Sequence, residues 1–205
     1  MRVIAPLLVL LLLCGATCTS GSNKTSSSVT RVIATSVSSS TRIAPLPRTG
    51  IDSIDNTVAA VTSHNLDALL QQVRYTKQPC VAQAERQGEE SRPTCGPGEK
   101  TGDLVDGFLV AQCSGGFTRS DDTMGIRNAL AYYFRGPMRF FGAFRTDTAW
   151  GAGKYTAIFA DAPGFETLAV VAILDDSGLV GVGTGCGNSP EKLASSNLWT
   201  PIGQR

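Results

Sequence analysis

The chain has 205 residues, of which 42% are hydrophobic, and its formal net charge at pH 7 is +1. This length suits one domain together with a processed or linker region. A charge so close to neutral gives no electrostatic reason to expect binding to nucleic acid or to an anionic membrane surface. The single histidine leaves little material for a histidine-based metal site or a catalytic triad, so we expect neither a metal nor a cofactor.

The chain opens with the pattern of an export signal. One arginine precedes an apolar run from Val3 to Leu13, which is too short to span a membrane and has the length of a signal-peptide core. Cys14 and Cys18 follow among small residues, and each imperfectly resembles the lipid-modified cysteine of a bacterial lipoprotein signal. We expect residues 1–18 to be a signal peptide, and both simple secretion and a lipid anchor on either cysteine remain open.

Residues 19–49 form a Ser/Thr-rich stretch with few large apolar side chains. Such a segment cannot bury enough apolar surface to fold, which predicts a flexible tether. Residues 50–205 then form a single folded domain. A tether after an export signal would let an anchored domain stand away from a membrane, so we expect an extracytoplasmic location, either secreted or membrane-anchored.

Two short helical patterns begin the domain. Apolar residues recur at helical spacing from Ile51 to Val61 and again from Leu66 to Val73. The pattern predicts an αα-hairpin whose apolar stripe, including Leu69 and Leu70, packs on a sheet.

Polar residues mark the ends of these helices. Thr49 and Asp52 resemble a capping box at the start of the first helix. Asn65 is a suitable amino-terminal cap for the second helix. His64 lies in the turn between them, where we expect a solvent-exposed side chain without a catalytic role.

A strand and a third helix follow a polar loop. Leu104 to Cys113 reads as a strand that ends in a glycine turn. Asp121 and Asp122 open a helix that runs to Phe134, since acidic residues suit the positive end of the helix dipole. The buried stripe of this helix is expected to consist of Ile126, Leu130 and Tyr133.

Residues 138–187 read as four consecutive strands joined by short turns. Alternation with a period of two marks two strands, at residues 140–145 and 155–160, and the run from Thr167 to Leu174 is apolar on both faces. The third strand should therefore be central and covered on both sides. Asp175 to Gly178 is a hairpin turn, after which Leu179 to Thr184 returns antiparallel. Short connections between sequential strands predict an antiparallel meander.

Glycines at 181, 183, 185 and 187 superficially resemble a dinucleotide-binding loop. That motif requires a following helix within a βαβ unit, whereas here a hairpin precedes the glycines. We expect instead that they allow sheet curvature and the close packing of a helix.

Four cysteines follow the export signal, and an oxidising compartment favours disulfides between them. Cys80 and Cys95 bracket a polar loop with no core of its own, so we expect them to pair. Cys113 and Cys186 each lie at the end of a predicted strand, where they can form a second pair if those strands are neighbours. A four-cysteine zinc site is disfavoured because the sequence has no C-x₂-C spacing.

The order of elements is two helices, a loop, a strand, a helix and four antiparallel strands. This order resembles the NTF2-like/cystatin-like α+β superfamily, and residues 51–76 are similar to its opening helices. The resemblance implies an α+β cone in which a curved antiparallel sheet wraps the helices. A second likeness, to uncharacterised bacterial extracytoplasmic domains, rests on residues 73–76, Pro79–Cys80 and Cys95. Neither resemblance implies an established activity.

Two classes of function remain open. The first is an exported or surface-anchored module that binds a small apolar ligand or a protein partner, with a homodimer left open. Its pocket candidates are Phe140, Phe144, Trp150, Tyr155 and Phe159. The alternative is a small isomerase-like or dehydratase-like enzyme that transfers protons through carboxylates and tyrosines. Its candidate residues are Asp103, Asp106, Asp147, Tyr132, Tyr133 and Tyr155.

Overall fold

The computed structural model describes residues 48–86, 91–111, 113, 115–146, 153–195 and 199–203. The helices of this part are α1 (Asp52–Thr62), α2 (Leu66–Gln71), α3 (Thr123–Tyr133) and α4 (Pro190–Ala194). Its strands are β1 (Thr76–Pro79), β2 (Leu104–Ala111), β3 (Phe117–Arg119), β4 (Arg139–Thr146), β5 (Tyr155–Ala160), β6 (Val170–Leu174), β7 (Leu179–Thr184) and β8 (Trp199–Pro201). None of these helices is long and apolar enough to cross a membrane.

The strands form one mixed sheet with the order β1-β2-β7-β6-β5-β4-β8, and β3 pairs with β2 outside this path. Strands β4 to β7 are an antiparallel meander, as the sequence predicted. Strand β2, however, pairs with β7 in parallel, with Leu109 opposite Gly181 and Ala111 opposite Gly183. The α+β class is confirmed, but the sheet is mixed rather than purely antiparallel.

Strand β6 is the inner strand that its apolar sequence predicted. All five of its residues are buried, because side chains of both faces are covered. It begins at Val170 rather than Thr167, since Leu168 N donates to Phe165 O over 2.9 Å and thereby closes a turn. At its other end Asp175 Oδ1 accepts hydrogen bonds from the backbone of Ser177 and Gly178, which fixes the predicted hairpin turn.

The main core lies between one face of the sheet and helices α1, α2 and α3. Alternate residues of β6 enter this core, namely Val170, Ala172 and Leu174. The residues between them belong to two smaller clusters, in which Val171 packs with Leu193 of α4 and Ile173 packs with Leu109. The alternation shows that apolar side chains leave β6 on both faces, as expected for a strand covered on both sides.

The helix caps agree with the sequence at two positions and differ at a third. The side chain of Asn65 accepts from Ala68 N at the start of α2, and that of Asp122 accepts from Gly125 N at the start of α3. The predicted pairing of Thr49 with Asp52 is wrong. Thr49 donates from its backbone N and from Oγ1 to Asp55 Oδ1, over 2.8 Å in each case. The N-cap of α1 is Ile51 rather than Thr49, so Thr49 lies ahead of the cap and bonds to Asp55 in the first turn.

Several predicted boundaries move, and four elements were missed. The strand expected at Leu104 to Cys113 ends at Ala111, and α3 spans Thr123–Tyr133 rather than beginning at Asp121. The missed elements are β1, β3, β8 and α4, which have only three to five residues each. Segments this short contain too few residues to show a period. The three strands pair with longer strands, whereas α4 is capped by the Ser189 side chain.

The glycines of β7 are needed mainly for strand packing. A Cβ at Gly183 would lie 2.2 Å from the backbone oxygen of Ala111, and a Cβ at Gly181 would lie 2.8 Å from Leu109 Cβ. Only at Gly185 does the predicted helix packing apply, where a Cβ would meet Leu193 Cδ1 of α4 at 2.6 Å. The glycines therefore let β7 approach β2 and let α4 approach the end of β7.

The disulfide between Cys80 and Cys95 is present, with a Cα–Cα distance of 4.9 Å. Cys80 is fully buried, and the backbone around the bond is tied by a hydrogen bond from Cys95 N to Val81 O. This confirms the first cysteine pairing expected from the sequence.

Candidate functional site

A pocket of about 240 Å³ opens where the ends of three helices meet. It lies at the carboxyl end of α1, the amino end of α2 and the carboxyl end of α3. Its lining residues are Ala60, Val61, His64, Asn65, Leu66, Leu69, Ala131, Phe134 and Gly136. The walls are therefore mostly apolar, and the polar side chains among the lining residues are those of His64 and Asn65.

The turn between α1 and α2 shapes one side of the pocket. His64 adopts a positive φ of 55°, which ends α1 and reverses the chain. Asn65 N then donates to Ala60 O over 2.9 Å, while the Asn65 side chain caps α2. Asn65 Oδ1 accepts this capping bond, and the amide NH₂ can donate to a ligand. His64 is exposed, as predicted for a turn histidine, and its imidazole offers a donor and an acceptor at the pocket mouth.

The opposite side of the pocket forms where α3 ends. Gly136 has a φ of 71°, and a Cβ there would lie 2.7 Å from Pro163 Cγ. Glycine is therefore required at position 136 for two reasons, the left-handed backbone conformation and the close contact with Pro163. Ala131, which lines the same side of the pocket, is exposed.

The floor of the pocket continues into the aromatic core. Phe134 packs edge to face on Phe159 with ring centroids 5.6 Å apart, and Phe159 in turn contacts Phe140 at 5.8 Å. Val61 and Leu69 are both buried. Phe134, Val61 and Leu69 are thus held by core packing, which forms this side of the pocket independently of any ligand.

The aromatic residues proposed from the sequence lie elsewhere. Phe140, Tyr155 and Phe159 belong to the core on the helix side of the sheet, whereas Phe144 belongs to a cluster on the opposite side. A register shift between Phe140 and Gly142 in β4 helps to send Phe140 and Phe144 to different faces. Trp150 lies outside the described residues. Phe159 supports the helix-end pocket from behind, and the role of the other candidates as ligand contacts stays a prediction.

One tyrosine of the proton-transfer hypothesis has a carboxylate partner. Tyr155 donates from its hydroxyl to Asp176 Oδ1 over 2.7 Å, and Lys154 forms an ion pair with the same carboxylate. The Lys154 and Tyr155 hydrogen bonds hold the pKa of Asp176 below its usual value. The bond to Asp176, together with burial, raises the pKa of Tyr155. At neutral pH the tyrosine thus stays protonated and the aspartate stays ionised, which suits an anchor for the β6–β7 turn.

The remaining candidates for proton transfer are scattered over the domain. Asp103 accepts from Lys100 N in a turn, and Asp106 forms an ion pair with Lys77 at 3.0 Å. Tyr132 is exposed, whereas Tyr133 is buried in the main core. Asp147 lies outside the described residues. The structure thus brings none of these described residues to the helix-end pocket.

A second charged cluster fastens the disulfide loop to the sheet. Arg119 of β3 forms ion pairs with Glu99 at 2.6 Å and with Asp121 at 2.9 Å, and also donates to Thr94 O. Hydrogen bonding to Arg119 lowers the pKa of both carboxylates. Glu99 additionally accepts from Gly96 N, one residue after Cys95. Since each of these three charged side chains has a partner within the cluster, the cluster has a structural role.

One group of metal-binding residue types occurs in the described part of the chain. Ligand atoms of Cys80, Cys95 and Glu99 lie within 4.8 Å of one another. The two sulfurs are bonded to each other, and a disulfide does not supply the thiolates that bind transition metals. This group therefore belongs to the disulfide loop and offers no metal site in the oxidised protein.

Sequence reasoning did not find this pocket, although it placed several of its walls. Val61, Leu66 and Leu69 were assigned to apolar stripes, and the third helix was predicted to end at Phe134. The missing information was that the α1–α2 turn and the end of α3 meet in space. Ala60 and Ala131 carry no signal of their own, because alanine is common on any helix.

Comparison of the chain with protein-family models, curated proteins and solved structures gave no match. Inference about function therefore rests on the residues around the pocket and on their chemistry.

Proposed function

We propose that the folded domain is a binding module whose helix-end pocket takes a small apolar ligand. The observation that carries this proposal is the preformed pocket itself, apolar in its walls and with His64 and Asn65 at its mouth. Binding sites for small molecules typically combine apolar walls with a few polar groups that orient the ligand. A ligand with one apolar ring and one hydrogen-bonding group fits this arrangement.

The small volume limits the affinity and sets the choice of assay. Pockets that hold drug-sized ligands usually exceed about 300 Å³, so this pocket suits a smaller molecule. Burying about 150 Å² of ligand surface at about 25 cal/mol per Å² contributes at most roughly 4 kcal/mol, and association itself costs free energy, so we expect a dissociation constant of about 1 mM or weaker. Binding this weak is best followed by chemical-shift changes in NMR spectra.

The test uses indole as the probe and compares two adjacent alanines of α1. Ala60 lines the pocket, whereas Ala59 is exposed on the same helix and is absent from the lining. Ala60→Leu should fill the space and weaken indole binding about tenfold or more, while Ala59→Leu should leave it unchanged. Ala131→Leu blocks the pocket from α3, and because Ala131 is exposed the substitution puts little strain on the core.

Indole should shift the backbone amide signals of the lining residues in the wild-type protein. The proposal is wrong if indole instead shifts signals remote from the pocket, or if binding survives in both Ala60→Leu and Ala131→Leu. Circular dichroism spectra of the variants check that they remain folded, so that loss of binding is not loss of structure.

We also propose that this module is exported, with residues 1–18 as the signal and residues 19–49 as the tether. The apolar run before Cys14 and the Ser/Thr-rich composition after Cys18 support this proposal. The Cys80–Cys95 disulfide supports it as well, because such bonds persist in oxidising compartments. An NTF2-like relationship is proposed from the order of elements, in which two helices precede the sheet and α3 precedes the four-stranded meander.

The alternative of a proton-transfer enzyme has less support. In its best-placed pair, the pKa of Tyr155 is raised and the pKa of Asp176 is lowered, so both lie further from neutral pH than usual. A general acid or base works best with a pKa near the working pH. The binding module is therefore the function that the geometry favours.

A further inference from the structure

The carboxyl ends of two parallel strands bring a pair of cysteines together. Strands β2 and β7 remain paired up to Ala111 opposite Gly183, and both chains leave the sheet in the same direction. Cys113 lies two residues beyond the last paired position of β2, and Cys186 lies three residues beyond that of β7. The sequence did not show whether these two strands are neighbours. Their parallel pairing in the structure shows that they are.

Both cysteines are free thiols in the structure, and they lie close enough for Cys113 to affect the pKa of Cys186. The Cys186 thiol also donates a long hydrogen bond to Thr184 O at 3.9 Å. Cys186 has a positive φ of 52° and is followed by Gly187 with a φ of 80°, so the chain turns sharply at this cysteine. Cys113 is exposed and Cys186 is half-buried.

We propose that Cys113 and Cys186 form a second disulfide, which locks the parallel pairing of β2 with β7 and opens under milder reduction than Cys80–Cys95. The inference is independent of the pocket and of any ligand. The bond lies at the ends of β2 and β7, which are the one parallel pair among the named strands that the structure describes, and it is sensitive to reduction.

The bond forms by exchange with a small disulfide such as oxidised glutathione. The Cys113 thiolate, which is the more accessible, attacks one sulfur of the oxidant, so a mixed disulfide forms and one glutathione thiolate leaves. The Cys186 thiolate then attacks the Cys113 sulfur and releases the second glutathione. Two protein thiols are thereby oxidised, the oxidant is reduced to two thiols, and the two protons pass to the leaving groups.

Burial, with a smaller contribution from the hydrogen bond to Cys113, raises the pKa of the Cys186 thiol to about 11. Little Cys186 thiolate is therefore present at neutral pH, which makes Cys113 the first to react. Closure of the bond should accelerate as the pH rises toward that pKa.

The two disulfides differ in their access to solvent. Cys80 is fully buried and its loop is held by the Arg119 cluster, whereas Cys113 is exposed. Because a reductant must reach a sulfur to attack it, the outer bond should be reduced about tenfold faster or more.

Tryptic peptide mapping of the full chain tests the proposal directly. Each of the four cysteines falls on a different tryptic peptide, at residues 78–86, 87–100, 101–119 and 155–192, since trypsin does not cleave between Arg92 and Pro93. The protein is equilibrated with oxidised glutathione, alkylated and digested without reduction. The expected result is a linkage between peptides 101–119 and 155–192. Graded dithiothreitol should then release this linkage before that of peptides 78–86 and 87–100.

Three results would overturn the proposal. These are complete alkylation of Cys113 and Cys186 after oxidation, a stable mixed disulfide with glutathione on either cysteine, and pairing of either with a cysteine outside this pair. The variant Cys113→Ser should abolish the linkage and leave Cys186 slow to alkylate at neutral pH, while Cys80–Cys95 stays intact as the internal control. Mapping of the unsubstituted chain remains decisive if the variant fails to fold.

Discussion

The parallel pairing of β2 with β7 can be tested by adding a single methyl group at Gly183. This glycine faces Ala111 across the two strands, and a Cβ there would lie 2.2 Å from Ala111 O and 2.7 Å from Ala111 Cβ. Neither atom belongs to a flexible side chain, so Gly183→Ala must push the backbones of the two strands apart. Gly181→Ala is a weaker form of the same change, with a closest contact of 2.8 Å to Leu109 Cβ.

The size of the effect follows from three contributions. Overpacking of a filled core costs about 1–3 kcal/mol, and each ladder hydrogen bond that stretches beyond its range costs about 0.5–1.5 kcal/mol. Replacing glycine also restricts the unfolded chain, which stabilises the protein by about 0.4–1 kcal/mol. We expect Gly183→Ala to lower the free energy of unfolding by about 1–3 kcal/mol, which corresponds to a fall in Tm of roughly 3–12 °C.

Urea denaturation followed by circular dichroism measures this loss, with the oxidation state of the cysteines held constant. Gly203→Ala is the matched control, because a Cβ there meets nothing within 4 Å. The control should leave the protein unchanged or up to about 1 kcal/mol more stable. If Gly183→Ala is equally neutral, β7 does not lie beside β2 in this register, and the inference about Cys113 and Cys186 loses its basis as well.

Three further predictions follow from the core, from the charged turn and from the chain start. Leu69→Ala should lower the free energy of unfolding by about 2–5 kcal/mol, because Leu69 is 2% exposed. Leu70 is half-buried, so Leu70→Ala should lower it by only about 1 kcal/mol. Equal urea midpoints for these two variants would contradict the packing of α2. Hydrogen bonds lower the pKa of Asp176 in the folded protein. Asp176 therefore contributes to stability above its unfolded-state pKa of about 4, and this contribution is lost as the pH falls through the folded-state pKa. Wild type and Asp176→Asn should therefore differ in urea midpoint near pH 7 and converge near pH 2, and a constant difference would refute the assignment. Intact-mass analysis of protein from the native host should show a chain lacking about the first 13–18 residues, with or without an acyl group, and a chain still beginning at Met1 would contradict export.

Local sequence was sufficient wherever a structure depends on neighbouring residues. The hairpin turn from Asp175 to Gly178, the caps at Asn65 and Asp122 and the apolar stripe of α3 each depend on contacts within a few positions. The same holds for Cys80–Cys95, whose partners are 15 residues apart and enclose a loop without a core. Period and turn chemistry are strong signals over such distances.

Tertiary structure alone decided how distant segments meet. Strands β1, β3 and β8 are too short to carry a period, and each pairs with a longer strand. Parallel pairing of β2 with β7 joins segments about seventy residues apart, so no local pattern reveals it.

The candidate site depends on the same kind of distant contact. The sequence identified apolar side chains such as Val61 and Leu69. It did not show that the end of α3 lies beside them, so the pocket was not predicted. The sequence by itself indicated most of the apolar core positions, such as Leu69 and the stripe of α3, and the turn from Asp175 to Gly178. The fold determined which of those residues share a pocket or a thiol contact, because contacts between distant segments form only when the whole core packs.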